Sequence, residues 1–262
     1  MSFISEYIEG KRKSGEKILN IFLTSGFPNK NEFAELALNI LDAGADMLEI
    51  GFPFSDPLAD GPVIQLSSQI ALENGINLKA TFSYVKKIRE NTDKPLILMG
   101  YANPVLSYGI KKFVNDAKES GANGVIVPDI PIEEYDNFFN GSFDGLDTIL
   151  LVTPTTTNER LKAIDEKSNG FVYCVSISGT TGSNLNHRQQ SLEFIKRTSS
   201  IVKKNKTLVG FGISNEEDAK SFSQNSDGVI VGSAIIKSLM NDNKNFTETL
   251  EKVKVLKNAL RY

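Results

Sequence analysis

The stretch GADMLEIG at residues 44–51 carries the pattern that decides the fold. Small residues precede a short apolar run, and the arrangement returns as GANGVIVP at 121–128, NGFVYCVS at 169–176 and SDGVIVGS at 226–233. The runs are rich in Val, Ile and Leu with little polar alternation, which is typical of parallel strands buried on both faces. Because the spacing between the copies is irregular, they do not indicate a solenoid.

Eight strands of this kind can be placed along the chain. They are Leu19–Thr24, Asp46–Ile50, Pro95–Gly100, Gly124–Val127, Asp147–Val152, Gly170–Val175, Thr207–Phe211 and Gly228–Val231. Eight strands in 262 residues give about 33 residues for each unit, the size of a βα repeat. We therefore expect an α/β protein whose residues 1–262 form a single-domain (β/α)8 TIM barrel with an extra N-terminal helix.

Amphipathic segments between the strands predict the helices. Three of them are Asn31–Ala43, Thr157–Lys167 and Asn215–Ser223. Thr157 and Ser214 are candidate N-caps, because their hydroxyls can accept from the free N–H groups of a first helical turn. An open doubly wound sheet is the alternative architecture. The first predicted strand is followed by TSGFP at 24–28 and lacks a GxGxxG fingerprint, so the barrel is favoured.

Composition excludes several classes of protein. The formal net charge is −3, so no basic excess is present to neutralise a nucleic-acid backbone. The single cysteine, Cys174, cannot form an internal disulfide, which fits a reducing compartment. The single histidine, His187, excludes a metal site with paired histidines, and we predict no metal. No apolar stretch approaches the length of a membrane span, and Met1 to Lys17 contain no apolar core of a signal peptide, so we expect a cytoplasmic protein.

Carboxyl groups cluster after the second predicted strand. Glu49 interrupts the apolar run, and a carboxyl inside a buried strand is costly unless it is paired or used in catalysis. The loop that follows, GFPFSDPLADGP at 51–62, holds three prolines and presents Asp56 and Asp60. A stiff loop with carboxylates is a candidate catalytic element. A structural ion pair for Glu49 and ordinary turn chemistry for Asp60 are the alternatives.

Glycine-rich turns lie across or after the ends of the last three predicted strands. They are Gly179–Gly182, Gly210–Ser214 and Gly232–Ser233. The loops after strands seven and eight of such barrels often bind phosphate through backbone N–H groups and a helix N-terminus, and Ser233 could cap that helix. Tight turns alone would also favour glycine. Four aromatic residues lie at strand ends and line either a pocket or the core, namely Phe22, Tyr101, Tyr173 and Phe211.

The motif from Glu49 through Pro62 to Gln65 resembles the signature of the tryptophan synthase alpha chain family. The resemblance extends over nearly the whole chain. It includes MGYANP at 99–104, PDIP at 128–131 and GFGI at 210–213.

Membership of that family implies a lyase with no cofactor in this chain. The reaction is the retro-aldol cleavage of indole-3-glycerol phosphate to indole and glyceraldehyde 3-phosphate, in the last steps of tryptophan biosynthesis. By resemblance, Glu49 is the general acid–base and Asp60 assists at the indole ring. The matching phosphate positions are Gly182, Gly212, Gly232 and Ser233, and the matching pocket positions are Phe22, Tyr101, Tyr173 and Phe211. Thr181 matches the threonine of a mobile loop that closes beside Asp60.

The resemblance also implies a protein partner. The family pairs with a pyridoxal-phosphate beta chain in an alpha2-beta2 heterotetramer, and the loop with Asp56 and Pro57 is expected at the interface. The chain departs from the family pattern at Ile177, where a basic residue usually follows the serine after the sixth strand. Two alternatives stay open: a barrel that acts mainly as an activating subunit, and a free-standing lyase that releases indole.

Overall fold

A computed structural model describes residues 2–139, 141–176, 184–210, 212–242 and 245–261 of the chain. Within these residues, eight parallel strands form a closed barrel in which each strand pairs with the next and the last pairs with the first. The strands are β1 Ile18–Thr24, β2 Met47–Gly51, β3 Leu96–Met99, β4 Gly124–Ile126, β5 Asp147–Val152, β6 Phe171–Val175, β7 Lys206–Gly210 and β8 Gly228–Val231. The predicted TIM barrel is confirmed, and each strand boundary lies within one residue of its prediction.

Helices surround the barrel and connect its strands. They are α1 Phe3–Lys13, α2 Phe33–Asp42, α3 Pro62–Glu73, α4 Leu78–Arg89, α5 Ala102–Tyr108, α6 Ile110–Ser120, α7 Tyr135–Phe139, α8 Asn158–Lys167, α9 Asn184–Ile201, α10 Glu216–Ser223, α11 Ser233–Asn241 and α12 Thr247–Asn258. A 3-10 turn over Ile132–Glu134 precedes α7. None of the helices in the described ranges has the length and apolar character needed to cross a membrane.

The expected N-terminal helix is α1, and it covers the N-terminal end of the barrel. Ile4 and Ile8 on this helix are fully buried. A Cβ on Gly124 of β4 would lie only 3.0 Å from Cδ1 of Ile4, so the absence of a side chain at that position lets α1 pack closely. Burial of these two side chains removes apolar surface from water and closes the end of the barrel opposite the predicted site.

Two helix starts test the predicted caps. Thr157 caps α8 as predicted, because its side chain accepts from the N–H of Arg160. The prediction of Ser214 as the cap of α10 is wrong. Asn215 has extended backbone angles and its side chain accepts from the N–H of Asp218 at 2.9 Å, while Ser214 donates to the Asp218 carboxylate. Adjacent Ser and Asn residues are both good caps, and the backbone conformation selects Asn215.

Candidate active site

A cavity of about 470 Å³ opens at the carboxyl ends of the strands. The strands contribute Phe22, Glu49, Met99, Tyr173 and Ile230 to its wall, and the loops contribute the remainder. The volume and the largely apolar wall with few polar groups are typical of a small-molecule site. In barrels of this kind, the carboxyl ends of the strands carry the chemistry.

Glu49 is the carboxyl group at the inner wall of the cavity. It is fully buried in β2, where its neighbours across the sheet are Phe22 of β1 and Ile97 of β3. The side-chain amide of Asn20 donates to Oε1 of Glu49 at 2.6 Å. Burial raises the pKa of Glu49 to about 8, and the Asn20 hydrogen bond opposes part of that rise. The carboxyl group is therefore protonated at neutral pH and suited to proton transfer.

The loop from Gly51 to Pro62 is fixed to its neighbours by side chains of α3. The Ser68 hydroxyl accepts from the N–H of Phe54 at 2.9 Å and donates to the carbonyl of the same residue at 3.1 Å. The Gln65 amide donates to the backbone carbonyl of Asp60 at 2.9 Å. Both ends of the loop are therefore anchored to the helix that follows it, which gives Asp60 a defined direction.

Asp60 lies at the rim of the cavity and contacts Tyr101. The Tyr101 hydroxyl donates to Oδ2 of Asp60 at 2.9 Å and accepts from the N–H of Ala59 at 3.0 Å. Partial burial raises the pKa of Asp60, and the Tyr101 hydrogen bond opposes that rise. Tyr101 itself lines a smaller adjoining cavity, where its ring centroid lies 5.5 Å from that of Phe54. Tyr101, which the sequence places in the pocket, therefore positions the Asp60 carboxyl from the smaller cavity.

Phe22 and Tyr173 form part of the main wall, and both rings lie over glycines. A Cβ on Gly51 would be 2.5 Å from Cζ of Phe22, and a Cβ on Gly210 would overlap the Tyr173 hydroxyl. Any larger residue at these two positions would therefore push a ring out of place. Burial and the nearby Glu49 carboxyl raise the pKa of Tyr173, which keeps its hydroxyl neutral.

The predicted phosphate residues that are described face the same cavity. Gly212, Gly232 and Ser233 all line it. Gly212 has a φ of 75°, a conformation that favours glycine. Ser233 was expected to cap the last barrel helix, and that prediction is wrong. Gly232 holds the cap position, because its carbonyl accepts from Ile235 and Ile236, and Ser233 is the first helical residue of α11.

Some predicted residues lie outside the described part of the chain. They are Thr181, Gly182 and Phe211, together with Ile177 and the remainder of the loop after β6 up to residue 183. The two predicted interface residues are described. Asp56 is exposed and Pro57 is buried next to the smaller cavity. Leu58, which follows them, is 93% exposed. In the described ranges, no three His, Cys, Asp or Glu side chains are grouped as metal ligands.

Comparison with known proteins decides the family. The tryptophan synthase alpha chain family model matches residues 8–261. The chain belongs to the tryptophan synthase alpha chain family. It is 44% identical to the tryptophan synthase alpha chain of Flavobacterium psychrophilum over 88% of this chain and 92% of that protein. It is 41% identical to that of Petrotoga mobilis over 100% and 99% of the two chains.

A solved structure agrees with the sequence relatives. The crystal structure of the tryptophan synthase alpha subunit from Legionella pneumophila is 32% identical, with a TM-score of 0.88 over 99% of this chain and 98% of that one. The expected role is confirmed: the chain is a lyase of tryptophan biosynthesis that cleaves indole-3-glycerol phosphate to indole and glyceraldehyde 3-phosphate.

Proposed function

We propose that Glu49 transfers both protons of the cleavage and that Asp60 stabilises the charge on the indole ring. The observation that carries this assignment is the pairing of two unlike carboxyl groups at one cavity. Glu49 is fully buried and holds its proton at neutral pH, whereas Asp60 lies at the rim and accepts a hydrogen bond that favours its ionised form. One group can therefore act as the acid while the other supplies a negative charge.

The reaction then proceeds in two proton transfers. The protonated Glu49 carboxyl gives its proton to C3 of the indole ring, and the positive charge that forms on the ring nitrogen is stabilised by the Asp60 carboxylate. The Glu49 carboxylate next removes the proton from the hydroxyl on the adjacent carbon. The bond between that carbon and C3 breaks, its electron pair restores the aromatic ring, and the hydroxyl carbon becomes the aldehyde of glyceraldehyde 3-phosphate. Protons balance, and Glu49 returns to its initial form.

Substrate binding divides between the apolar wall and the glycine turns. Phe22 and Tyr173 flank the place for the indole ring, and Gly51 and Gly210 leave the space that their rings occupy. Gly212, Gly232 and Ser233 surround the place for the phosphate, which the first turn of α11 would meet with free N–H groups. By resemblance, Gly182 and Phe211 complete the phosphate and indole sites, and Thr181 completes the loop that closes beside Asp60.

Release of indole by carboxyl variants tests the assignment. Glu49→Gln keeps the shape of the side chain but cannot exchange the proton, so indole release should fall by about a hundred- to ten-thousandfold. Asp60→Asn should also lower the rate, because the ring charge loses its counter-charge. Glu90→Gln, on an exposed helix end, is the control. A folded Glu49→Gln variant that kept more than about a tenth of the parent rate would contradict the proposed acid–base role.

We also propose that the enzyme works with a beta chain, in an alpha2-beta2 heterotetramer whose beta chains hold pyridoxal phosphate. Acid–base cleavage needs no cofactor in this chain. The loop tip with Asp56, Pro57 and Leu58 supports an interface at the open end of the barrel, because it presents an exposed charge and a 93% exposed leucine. Indole formed in the cavity would pass to the partner directly. Residues 1–262 would act as one domain in the cytoplasm, where amino-acid biosynthesis takes place.

Measurement of indole release by the isolated chain separates the two open alternatives. An activating subunit with weak chemistry would release little indole with or without Glu49. A free-standing lyase would release indole rapidly and would fail to bind a beta chain.

A further inference from the structure

Asn20 is a buried polar residue that the proposed reaction does not yet use. It lies in the middle of β1, a strand that is otherwise apolar up to Thr24, and none of its surface is exposed. Its backbone pairs with Met47 on one side and Ile230 on the other. A buried amide without hydrogen bonds is costly, and a leucine would fill a similar volume there. A polar side chain at this position therefore requires an explanation from what it contacts.

The side chain of Asn20 contacts the proposed acid–base group. Its Nδ2 donates to Oε1 of Glu49 at 2.6 Å. In the described part of the chain, Oδ1 of Asn20 and Oε2 of Glu49 are buried and have no hydrogen-bond partner. The two oxygens of the Glu49 carboxyl are therefore not equivalent. Because Oε1 accepts the amide hydrogen, the proton of the neutral carboxyl belongs on Oε2.

We propose that Asn20 is a positioning residue that holds Oε1 of Glu49 and leaves Oε2 as the oxygen that exchanges the proton with the substrate. This inference rests on the proposed acid–base role of Glu49. Asn20 does not touch the substrate. It fixes the rotation of the carboxyl group, so that the protonated oxygen keeps one direction while the substrate occupies the cavity.

The pH dependence of the reaction provides a readout that a structural role would not move. The titratable side chains that face Glu49 from the packed elements are Tyr173 of β6 and Asp60 from the loop after β2. Burial keeps Tyr173 neutral, and the proposed carboxylate role of Asp60 assigns the acid limb of the profile to that group. The alkaline limb of the pH profile therefore reports the loss of the proton from Glu49. The Asn20 amide stabilises the Glu49 carboxylate, so removal of the amide should move the alkaline limb upward.

Asn20→Leu is the first test variant. It removes the donor at similar volume, and we expect kcat to fall about tenfold with an unchanged KM, because the amide binds no substrate. The alkaline limb should rise by about one pH unit while the acid limb stays in place. Thr148→Val is the control, since it removes a buried hydroxyl that bonds Tyr135, far from the carboxyl groups. Its pH profile should match that of the parent.

A second variant keeps the proposal testable if Asn20→Leu fails to fold. Asn20→Asp keeps the shape but places a second carboxyl beside Glu49, which should move the alkaline limb upward as well. In the Glu49→Gln background, Asn20→Leu should cause no further loss of the residual rate, because Asn20 acts through Glu49.

The outcomes separate this inference from the proposed function. If Glu49→Gln retains activity, the acid–base role itself is wrong. If Glu49→Gln is inactive while folded Asn20→Leu and Asn20→Asp keep the parent kcat and the parent alkaline limb, Glu49 remains the acid–base group and the positioning role of Asn20 is overturned. An equal loss from Asn20→Leu in the parent and in the Glu49→Gln background would also overturn it.

Discussion

Replacement of Glu49 by Gln should change how the stability of the barrel depends on pH. In the folded protein the pKa of Glu49 is raised to about 8 by burial, whereas the ordinary value is 4.5. Between these two pH values the native state keeps a proton that the unfolded chain has lost. The free energy of unfolding of the parent should therefore fall as the pH rises through this window. The contribution is fully present below the ordinary pKa and is lost above the folded one.

The size of the effect follows from the same two values. Each pH unit in the window is worth about 1.4 kcal/mol, so the parent should lose up to about 5 kcal/mol of stability by the alkaline end. A loss of this size is large, because the free energy of unfolding of a whole domain is only about 5–15 kcal/mol. Gln does not ionise, and its side-chain carbonyl can still accept the Asn20 hydrogen bond. Glu49→Gln should therefore be more stable than the parent at alkaline pH, although we expect it to lose its lyase activity.

Urea unfolding followed by circular dichroism at about pH 5, 7 and 9 measures the difference directly. The gap between the variant and the parent should grow with pH, because every other titrating group is common to both proteins. The control variant Glu90→Gln alters an exposed carboxyl, and its free energy of unfolding should stay close to that of the parent at each pH. A gap of constant size across the range would show that Glu49 titrates normally in the folded protein and that burial does not raise its pKa.

Two further predictions concern the ligand and the partner. Inorganic phosphate or glycerol phosphate should raise the Tm of the parent, because a ligand that binds the native state stabilises it. Gly232→Val, whose Cβ would lie 3.3 Å from Phe22, and Gly212→Val should lose this protection while Gly10→Ala keeps it; full protection of both valine variants would place the phosphate elsewhere. Asp56→Ala should weaken binding of the beta chain in a calorimetric titration and leave indole release by the isolated barrel largely unchanged. The loss should be about 0–1 kcal/mol for a rim ion pair and several kcal/mol for a desolvated one, and equal affinity would make Asp56 a turn residue only.

Much of the fold could be predicted because the barrel strands are short, apolar and buried on both faces. Their ends follow from composition, as the Asp147–Val152 strand shows. The boundaries of the helices are harder to predict from the sequence. The connection between β2 and β3 contains both α3 and α4, and no simple period in the sequence separates them. At α10, Ser214 and Asn215 both have the chemistry of an N-cap, and only the backbone conformation distinguishes them.

The site could be predicted where one residue carries the signal by itself. Glu49 is unusual in an apolar strand, and Asp60 stands in a stiff loop, so both are visible in the sequence. The supporting contacts depend on pairs distant along the chain. Tyr101 and Asp60 meet because two neighbouring strands end at one edge of the barrel. Asn20 also stands out in the sequence, since it is polar within an apolar strand, two residues before Phe22 and on the same face, but its role depends on a contact with Glu49 of the neighbouring strand.

The different positions of the two carboxyl groups explain why their proposed roles are not interchangeable. Glu49 lies on a strand inside the barrel, where it is fully buried and, among the described residues, accepts a hydrogen bond from the Asn20 amide alone, so the neutral form is favoured. Asp60 lies at the rim, where the Tyr101 hydroxyl donates to it and the loop backbone is anchored by Gln65. Burial raises both pKa values, but the fully buried group is affected more strongly. The proposed division between an acid and a counter-charge therefore rests on the different burial and hydrogen bonding of the two groups, and the anchored loop keeps Asp60 at the rim.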